Sequence, residues 1–441
     1  MAIGKDGAAS QKRGMASGKD GLASGKDGVA TKERSDFLSR FPPNVLLLGA
    51  VSFFTDVSSE MIFPLLPVFL TTFLGASSAA VGLIEGVADS AASLLDIVVG
   101  YAADRGGQYK RFVLIGYGLS SLVKAGIALA VTWPQMLILR GLERVGKSIR
   151  SSPRDAIIAK STPPASRGMA FGLHRAMDTM GAIAGPAIAY LILMALGSGE
   201  SAYRTVFWAA LLPAFIAVLI IVLFLREPKA EGSKEVSRSA AAIAKKPPFL
   251  VSLRSLDPTY KRFLLISALF SLSYFSFALL IVRSSQLGIS AADILLLYLL
   301  YNIVYAAVSV PIGMLSDRIG RKWVIAASFA LYGLICLGFA FLSAWWQIAL
   351  LFALYGVFVS ADESVNKAYV SDLVGEDRRA MALGAYNTGV GVVYLPANVL
   401  FGAALAAWGA GVAFGGAALL AFAAAIWMMT FRGKPTATAR N

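Results

Sequence analysis

The chain is predicted to be an all-α integral membrane protein with twelve transmembrane helices in two pseudo-symmetric six-helix halves, and three observations carry that prediction. Of its 441 residues, 57% are hydrophobic and only 15% charged, where soluble domains have about 45–50% and about 25%. Mean hydropathy is +0.67, and apolar runs long enough to cross about 30 Å of hydrocarbon follow one another from Pro43 onward. Matching features also recur at offsets of 212 and 213 residues, the mark of an internal duplication. A soluble enzyme of this length could fold two cores but could not accommodate such a succession of runs. The single cysteine, Cys336, excludes an intramolecular disulfide framework and a thiolate metal cluster, and is expected to be a small apolar side chain in a helix.

Residues 1–42 contain three near-copies of one unit, Gly4 to Ser10, Gly18 to Ser24 and Gly25 to Thr31. Rich in glycine and charge and without hydrophobic periodicity, this segment is expected to be a disordered cytoplasmic tail. No short apolar stretch with a small-residue cleavage site precedes the first long run, so no cleaved signal is expected. Twelve spans are predicted at roughly 44–73, 79–103, 112–132, 135–158, 169–196, 204–225, 262–283, 291–315, 323–343, 346–369, 380–406 and 409–431. Alternate connections carry Arg105, Lys110 and Arg111, then Arg150, Arg154, Lys160 and Arg167, then Arg318, Arg321 and Lys322, whereas the opposite ones are short and nearly uncharged. The positive-inside rule then puts both termini in the cytoplasm of a bacterial-type cell membrane. Topology thereby accounts for the net charge of +14, and nucleic acid is not expected as a partner. The long polar connection 226–261, with Pro228, Pro247, Pro248 and Pro258 close by, separates a first half at 43–225 from a second at 262–431, and 432–441 forms a short cytoplasmic tail.

The repeat is read from paired features. Leu74-Gly75 matches Leu287-Gly288, Gly100 with Asp104-Arg105 matches Gly313 with Asp317-Arg318, Trp133 and Gln135 match Trp345 and Gln347, and Arg167-x-Met169-Ala170-x-Gly172 matches Arg379-x-Met381-Ala382-x-Gly384. The run Gly313-Met314-Leu315-Ser316-Asp317-Arg318-Ile319-Gly320-Arg321-Lys322 resembles the signature G-x-L-x-D-R-x-G-R-K of the major facilitator superfamily of secondary transporters. The first-half copy from Gly100 to Arg111 keeps the glycine, Asp104-Arg105 and Lys110-Arg111, with Ala102 for leucine and two extra residues. Over roughly residues 44–431 the resemblance implies a twelve-helix carrier whose Gly100, Asp104, Arg105, Gly313, Asp317, Arg318, Gly320 and Arg321 act in gating. Gly172, Gly181, Gly185 and Pro186 are similar to the family's antiporter signature in the fifth span, with Ala189-Tyr190 in place of its last two glycines. The match implies exchange of substrate for protons; the alternative is an ordinary packing groove, since glycines let helices approach closely. Leu139-Arg140-x-x-Glu143 resembles the fourth-span R-x-x-Q-G signature implicated in proton coupling, with Glu143 for glutamine and Arg144 where glycine is expected.

Charges inside the spans supply the candidate site, because an ionisable group near the bilayer midplane is costly unless it meets a partner or a wet cavity. Asp56 and Glu60 share a face of span one, Glu85, Asp89 and Asp96 one of span two, and Arg140, Glu143, Arg144 and Lys147 stripe span four. His174, Arg175 and Asp178 fall within two turns of span five. This set forms either a substrate and proton-coupling cavity or a structural salt-bridge network. His174, the lone histidine, is expected to be structural, and no metal site is expected. Tyr274, Phe275, Tyr298, Tyr301, Tyr305, Tyr386 and Tyr394 could line the opposite wall or simply pack.

Gly141 to Ser148 satisfies G-x-x-x-x-G-K-[ST] letter by letter. A phosphate loop needs a soluble α/β domain around it, and here it would fall inside span four, so ATP hydrolysis, and with it an enzyme, is rejected. No cofactor is expected. The expected activity is a monomeric, proton-coupled exporter of a small polar or charged organic molecule, with an uptake symporter or a non-transporting sensor as alternatives. At the 212-residue offset Arg150 matches Asp362 and Asp155 matches Lys367, so these are expected to pair between halves in the outward-open state and to separate in the inward-open one.

Overall fold

The computed structural model describes residues 41–106, 108–163, 166–227, 257–374 and 379–432. The expectations for the N-terminal repeats, most of the central loop and the C-terminal tail fall outside these residues, as do the side chains of Asp96, Gly100, Asp104, Arg105, Arg379 and Met381.

Among the described residues, fourteen helices build the spans. In the first half they are α1 (Pro43–Ile62), α2 (Leu66–Thr72), α3 (Ser78–Gly106), α4 (Tyr109–Leu129), α5 (Trp133–Ser161), α6 (Arg167–Leu196), α7 (Glu200–Ala209) and α8 (Leu211–Leu223). The second half has α9 (Pro258–Ser273), α10 (Phe277–Gln286), α11 (Ala291–Ile319), α12 (Arg321–Phe341), α13 (Trp345–Asp372) and α14 (Arg379–Thr430). The last is two spans in one, bent at Gly409, whose φ of 78° a side-chain-bearing residue rarely adopts. All twelve expected spans are helical. Among the described residues, nine stretches are long and apolar enough to cross a membrane by length and composition alone; α5 falls short because it carries the basic stripe.

Three spans are divided within the described residues, the sixth only at Ala210, whose backbone stays helical, and the first and seventh by true breaks at equivalent points of the repeat. Between α1 and α2 lie Phe63, Pro64 and Leu65, where Pro64 removes a helical donor and Pro67 restarts the helix. Between α9 and α10 lie Tyr274, Phe275 and Ser276, which contain no proline. Backbone exposed at such a break must be satisfied within the protein. Asn398 Oδ1 accepts from the Ser276 N–H at 2.6 Å, the Tyr332 hydroxyl accepts from the Phe275 N–H at 3.4 Å, and the Ser276 hydroxyl accepts from the Ala278 N–H at 3.3 Å, capping α10. At the head of α9, outside the span, Asp257 accepts from the Thr259 N–H at 2.6 Å, which holds its carboxyl below the ordinary range.

Close packing sets the helix positions. On α6, a Cβ at Gly181 would lie 2.5 Å from the Phe53 carbonyl oxygen, and one at Gly185 would lie 2.7 Å from that of Val57, so α1 and α6 touch through backbone. Gly116 and Gly146 do the same for α4 and α5. The halves meet along α3 and α14, where a Cβ at Gly402 would fall 2.6 Å from the Ser78 carbonyl oxygen. At that end α2 also packs on α10, and Gln286 Nε2 donates to Ser78 Oγ at 3.5 Å. The gap between the halves is therefore shut on the side of residues 72–78 and 286–291.

The gating-motif residues of the second half occupy the other side. Gly320 joins α11 to α12 with a φ of 94°, which accounts for glycine there. Arg321 bonds Asp317 at 3.2 Å, Asp372 at 2.5 Å and the Ala368 carbonyl at 2.9 Å, tying the ends of α11, α12 and α13 together. The phosphate-loop look-alike from Gly141 to Ser148 is helical throughout.

The glycine contacts yield a contrast within one helix. Gly181→Val should lower the unfolding free energy of the purified protein by about 1–3 kcal/mol, the usual cost of overpacking, whereas Gly172→Val, where a Cβ meets nothing within 4 Å, should leave thermal stability unchanged. Equal loss in both variants would remove close α1–α6 packing as the reason for Gly181.

Candidate substrate and proton-coupling cavity

Between the halves lies a cavity of about 400 Å³, within the range of small-molecule sites. Its first-half wall comes mainly from α1, α3, α5 and α6 and is mostly charged, bearing Asp56, Glu60, Asp89, Arg140, Glu143, Arg144, Lys147, Arg150, Arg175 and Asp178 beside Ser59, Phe63, Thr179 and Ala182. The second-half wall is aromatic, with Tyr274, Phe277, Tyr298, Tyr301, Tyr305 and Tyr355, and carries one acid, Glu363. The α1–α6 glycine contacts bring Asp56 and Glu60 to the α6 face that bears Asp178: the Cβ atoms of Asp56 and Glu60 are themselves 3.0 Å from where a Cβ of Gly181 or Gly185 would sit.

Arg140 is buried between two carboxylates. Its Nε and Nη2 bond Glu85 at 3.0–3.1 Å, and its Nη1 bonds Glu143. Arg140 is 4% exposed and Glu85 2%. The fork geometry suits a carboxylate, and a second carboxylate one turn along the same helix takes the remaining arm. Arg144 pairs with Asp89 at 3.2 Å, each partly open to the cavity. Lys124, 1% exposed, donates to the Ser58 and Ser59 hydroxyls at 2.7 and 3.0 Å.

On α1 and α6 the Asp56 and Asp178 carboxyl groups lie near each other at the cavity, and Asp178 accepts from the Ser52 hydroxyl at 2.7 Å and from Arg175 at 3.3 Å. Two contacts then cross between halves through the cavity. The Tyr298 hydroxyl donates to Glu60 at 2.5 Å, and Arg175 reaches Glu363 at 3.4 Å and the Tyr305 hydroxyl, which itself donates to Glu363 at 2.7 Å.

Eight of the ten sequence-derived cavity residues line this space: Asp56, Glu60, Asp89, Arg140, Glu143, Arg144, Arg175 and Asp178. Glu85 instead sits behind the wall as the anchor of Arg140. His174 is buried outside the lining, its Nε2 without a hydrogen-bond partner among the described residues. Of the aromatics, Tyr274, Tyr298, Tyr301 and Tyr305 face the cavity, whereas Phe275, Tyr386 and Tyr394 do not; Phe275 stacks on Phe401 with centroids 3.5 Å apart. Arg150 and Asp362 are not paired here, nor are Asp155 and Lys367: Asp155 bonds its neighbour Arg154 at 2.9 Å and Asp362 accepts from Asn366 at 2.6 Å. Sequence reasoning missed Glu363, Lys124, Tyr355 and Asp372. Asp372 follows no motif, whereas Glu363, one residue from the Asp362 already singled out, was within reach of the same inspection of charges in spans.

Two six-helix halves around a mixed-charge cavity are the architecture of a secondary transporter, a multi-pass carrier of small molecules and not an enzyme. The chain belongs to the major facilitator superfamily, whose profile matches residues 48–283 and 263–441. It is 38% identical over 365 residues to an uncharacterized MFS-type transporter of Methanocaldococcus jannaschii, covering 81% of this chain and 87% of that one. It is 25% identical to the fosmidomycin resistance protein of Escherichia coli, over 64% of this chain and 68% of that one. The crystal structure of the nucleoside transporter NupG superposes with a TM-score of 0.71 at 15% identity, covering 88% of this chain and 99% of that one.

The two ionic contacts of α3 with α5 should differ sharply in cost when broken. Glu85→Leu leaves the Arg140 charge buried with only Glu143 and should destabilise the protein by about 3–5 kcal/mol, whereas Asp89→Asn at the half-exposed Arg144 pair should cost no more than about 1 kcal/mol. Denaturant or thermal unfolding of the two purified variants in the same detergent provides the comparison, and a reversal of that order would contradict the burial argument.

Proposed function

We propose that this transporter is a proton-coupled exporter that exchanges a small polar or charged organic molecule for protons by alternating access. The halves at residues 43–225 and 262–431 rock about the cavity, and the loop at 226–261 and both tails lie in the cytoplasm of the cell membrane. The Asp56–Asp178 contact carries the reading. Two carboxyl groups brought this near each other repel unless one of them takes up a proton, and this pair lines the cavity with an arginine, Arg175, competing for Asp178. A proton arriving at Asp178 weakens its hold on Arg175, the residue that also reaches across to Glu363 and Tyr305. Proton occupancy is thereby linked to a contact between halves.

The basic loops put the open side of the cavity toward the cytoplasm, so the conformation described is inward-facing. Export is favoured over uptake by the glycines of α6, which match the antiporter signature, and by the distant likeness to a protein named for drug resistance. Gating is assigned to Gly313, Asp317, Arg318, Gly320 and Arg321 and to their first-half counterparts Gly100, Asp104 and Arg105.

Comparing a deletion strain with its overexpressor across metabolites and toxins would identify a substrate. In proteoliposomes loaded with it, Asp56→Asn and Asp178→Asn should each reduce pH-gradient-driven movement at least tenfold while leaving substrate–substrate exchange measurable. Normal gradient-driven rates in both variants would place coupling elsewhere, and movement in the same direction as protons would make the protein a symporter.

The opposite closure has its own test. With Asp155→Cys and Lys367→Cys in a Cys336→Ser background, crosslinking should rise when the protein is driven outward-facing by an external substrate or pH change. A yield that does not respond to either would count against ion pairs at this gate.

A further inference from the structure

We propose that Lys147 and Arg150 on α5 form an anion subsite in the cavity, so that the transported molecule is a small organic anion whose acidic head sits between them. The inference rests on reading the cavity as the transport site and names the class of molecule it takes.

Every other arginine of the cavity wall has a carboxylate partner. Arg140 is held by Glu85 and Glu143, Arg144 by Asp89, and Arg175 by Asp178 and Glu363. Arg150 and Lys147 have none among the described residues. Arg150 is only 7% exposed, yet its Nη1 has no hydrogen-bond partner. Its guanidinium is steadied by the Tyr117 ring, 4.3 Å away, which offers no acceptor for its N–H donors. A desolvated guanidinium with an idle donor that lines a cavity is costly to keep unless something binds it.

Lys147 lies one turn before Arg150 and lines the same cavity, where the charges of Arg144 and Arg150 repel it and those of Asp56 and Glu60 attract it. The carboxylates nearest to it on α1 are engaged elsewhere, Glu60 with Tyr298 and Asp56 with Asp178. Two like charges one turn apart destabilise a helix, and an anion between them relieves the repulsion. A planar carboxylate or a tetrahedral phosphonate fits the guanidinium fork. The facing wall of tyrosines, Tyr301 and Tyr305 among them, offers flat faces to the body of such a molecule.

The test measures binding without any gradient, so it can fail or succeed independently of proton coupling. Purified full-length protein is titrated with phenylphosphonate, benzamide and benzylamine, and binding is followed by thermal stabilisation. Phenylphosphonate should protect in a saturable manner and the other two should not. Lys147→Gln and Arg150→Gln should each weaken its binding at least tenfold, and Arg150→Lys, which keeps the charge in the buried position, should retain most of it. Protection by benzylamine alone, protection by none of the three, or equal phenylphosphonate binding in wild type, Lys147→Gln and Arg150→Gln would overturn the assignment. Loss of proton-driven exchange in the carboxylate variants with anion binding intact would leave it standing.

Discussion

A bilayer offers no water to an unpartnered charge, and the first half of this protein is organised around that constraint. Arg140 cannot be placed at depth unless carboxylates meet it, so α3 must present Glu85 to α5, and Glu143 must follow one turn along. Once α3 and α5 are locked in this way, the next positions along α5 are fixed as well. Arg144, Lys147 and Arg150 must then face the gap between the halves, and the cavity acquires its basic floor as a consequence of the anchor. The glycine contacts of α6 act on the other side in the same manner, since backbone-to-backbone approach brings Asp56 to the face of α6 that bears Asp178.

The same constraint governs the two broken spans. Breaking a helix inside a membrane releases backbone groups that have to be satisfied within the protein, and here the donors at 275 and 276 are taken up by Tyr332 and Asn398. What the breaks provide is access: Phe63, Tyr274, Ser276 and Phe277 all line the cavity. Broken helices at equivalent places in two repeats are a recurrent way for carriers to form a central site. Asn398 and Ser276 both belong to the second half, yet Ser276 also approaches Glu85 of the first at 3.5 Å, so the break lies against the anchor of Arg140.

Much of this was legible in the sequence because a bilayer leaves a chain few alternatives. Apolar runs of the required length, the sign of each loop and the 212-residue offset together lead to the fold, and the spacing of charges along spans one, two, four and five singles out most of the cavity wall. What could not be read depends on contacts that local spacing does not encode. Glu85 looked like a wall residue because it shares a helix face with Asp89, but it is buried behind its partner Arg140, which lines the cavity in its place. His174 keeps the spacing of Arg175 and Asp178 while pointing away from the cavity. The break at Pro64 had a local signal; the break at 274–276 had none of its own, although the repeat carries Pro64 onto Ser276. Phe275 and Tyr394 are as aromatic as their cavity-facing neighbours and differ only in where the tertiary packing turns them.

The central claim is that Asp56 and Asp178 hold a proton between them at a site open to substrate. Infrared difference spectroscopy of the purified protein in lipid, comparing neutral with alkaline pH, addresses it directly through the carbonyl stretch of a protonated carboxylic acid. The account predicts a band in the wild-type protein that disappears in both Asp56→Asn and Asp178→Asn and persists in Asp89→Asn. A protonated-carboxyl band unchanged in the first two variants, or absent from the wild type throughout, would contradict it.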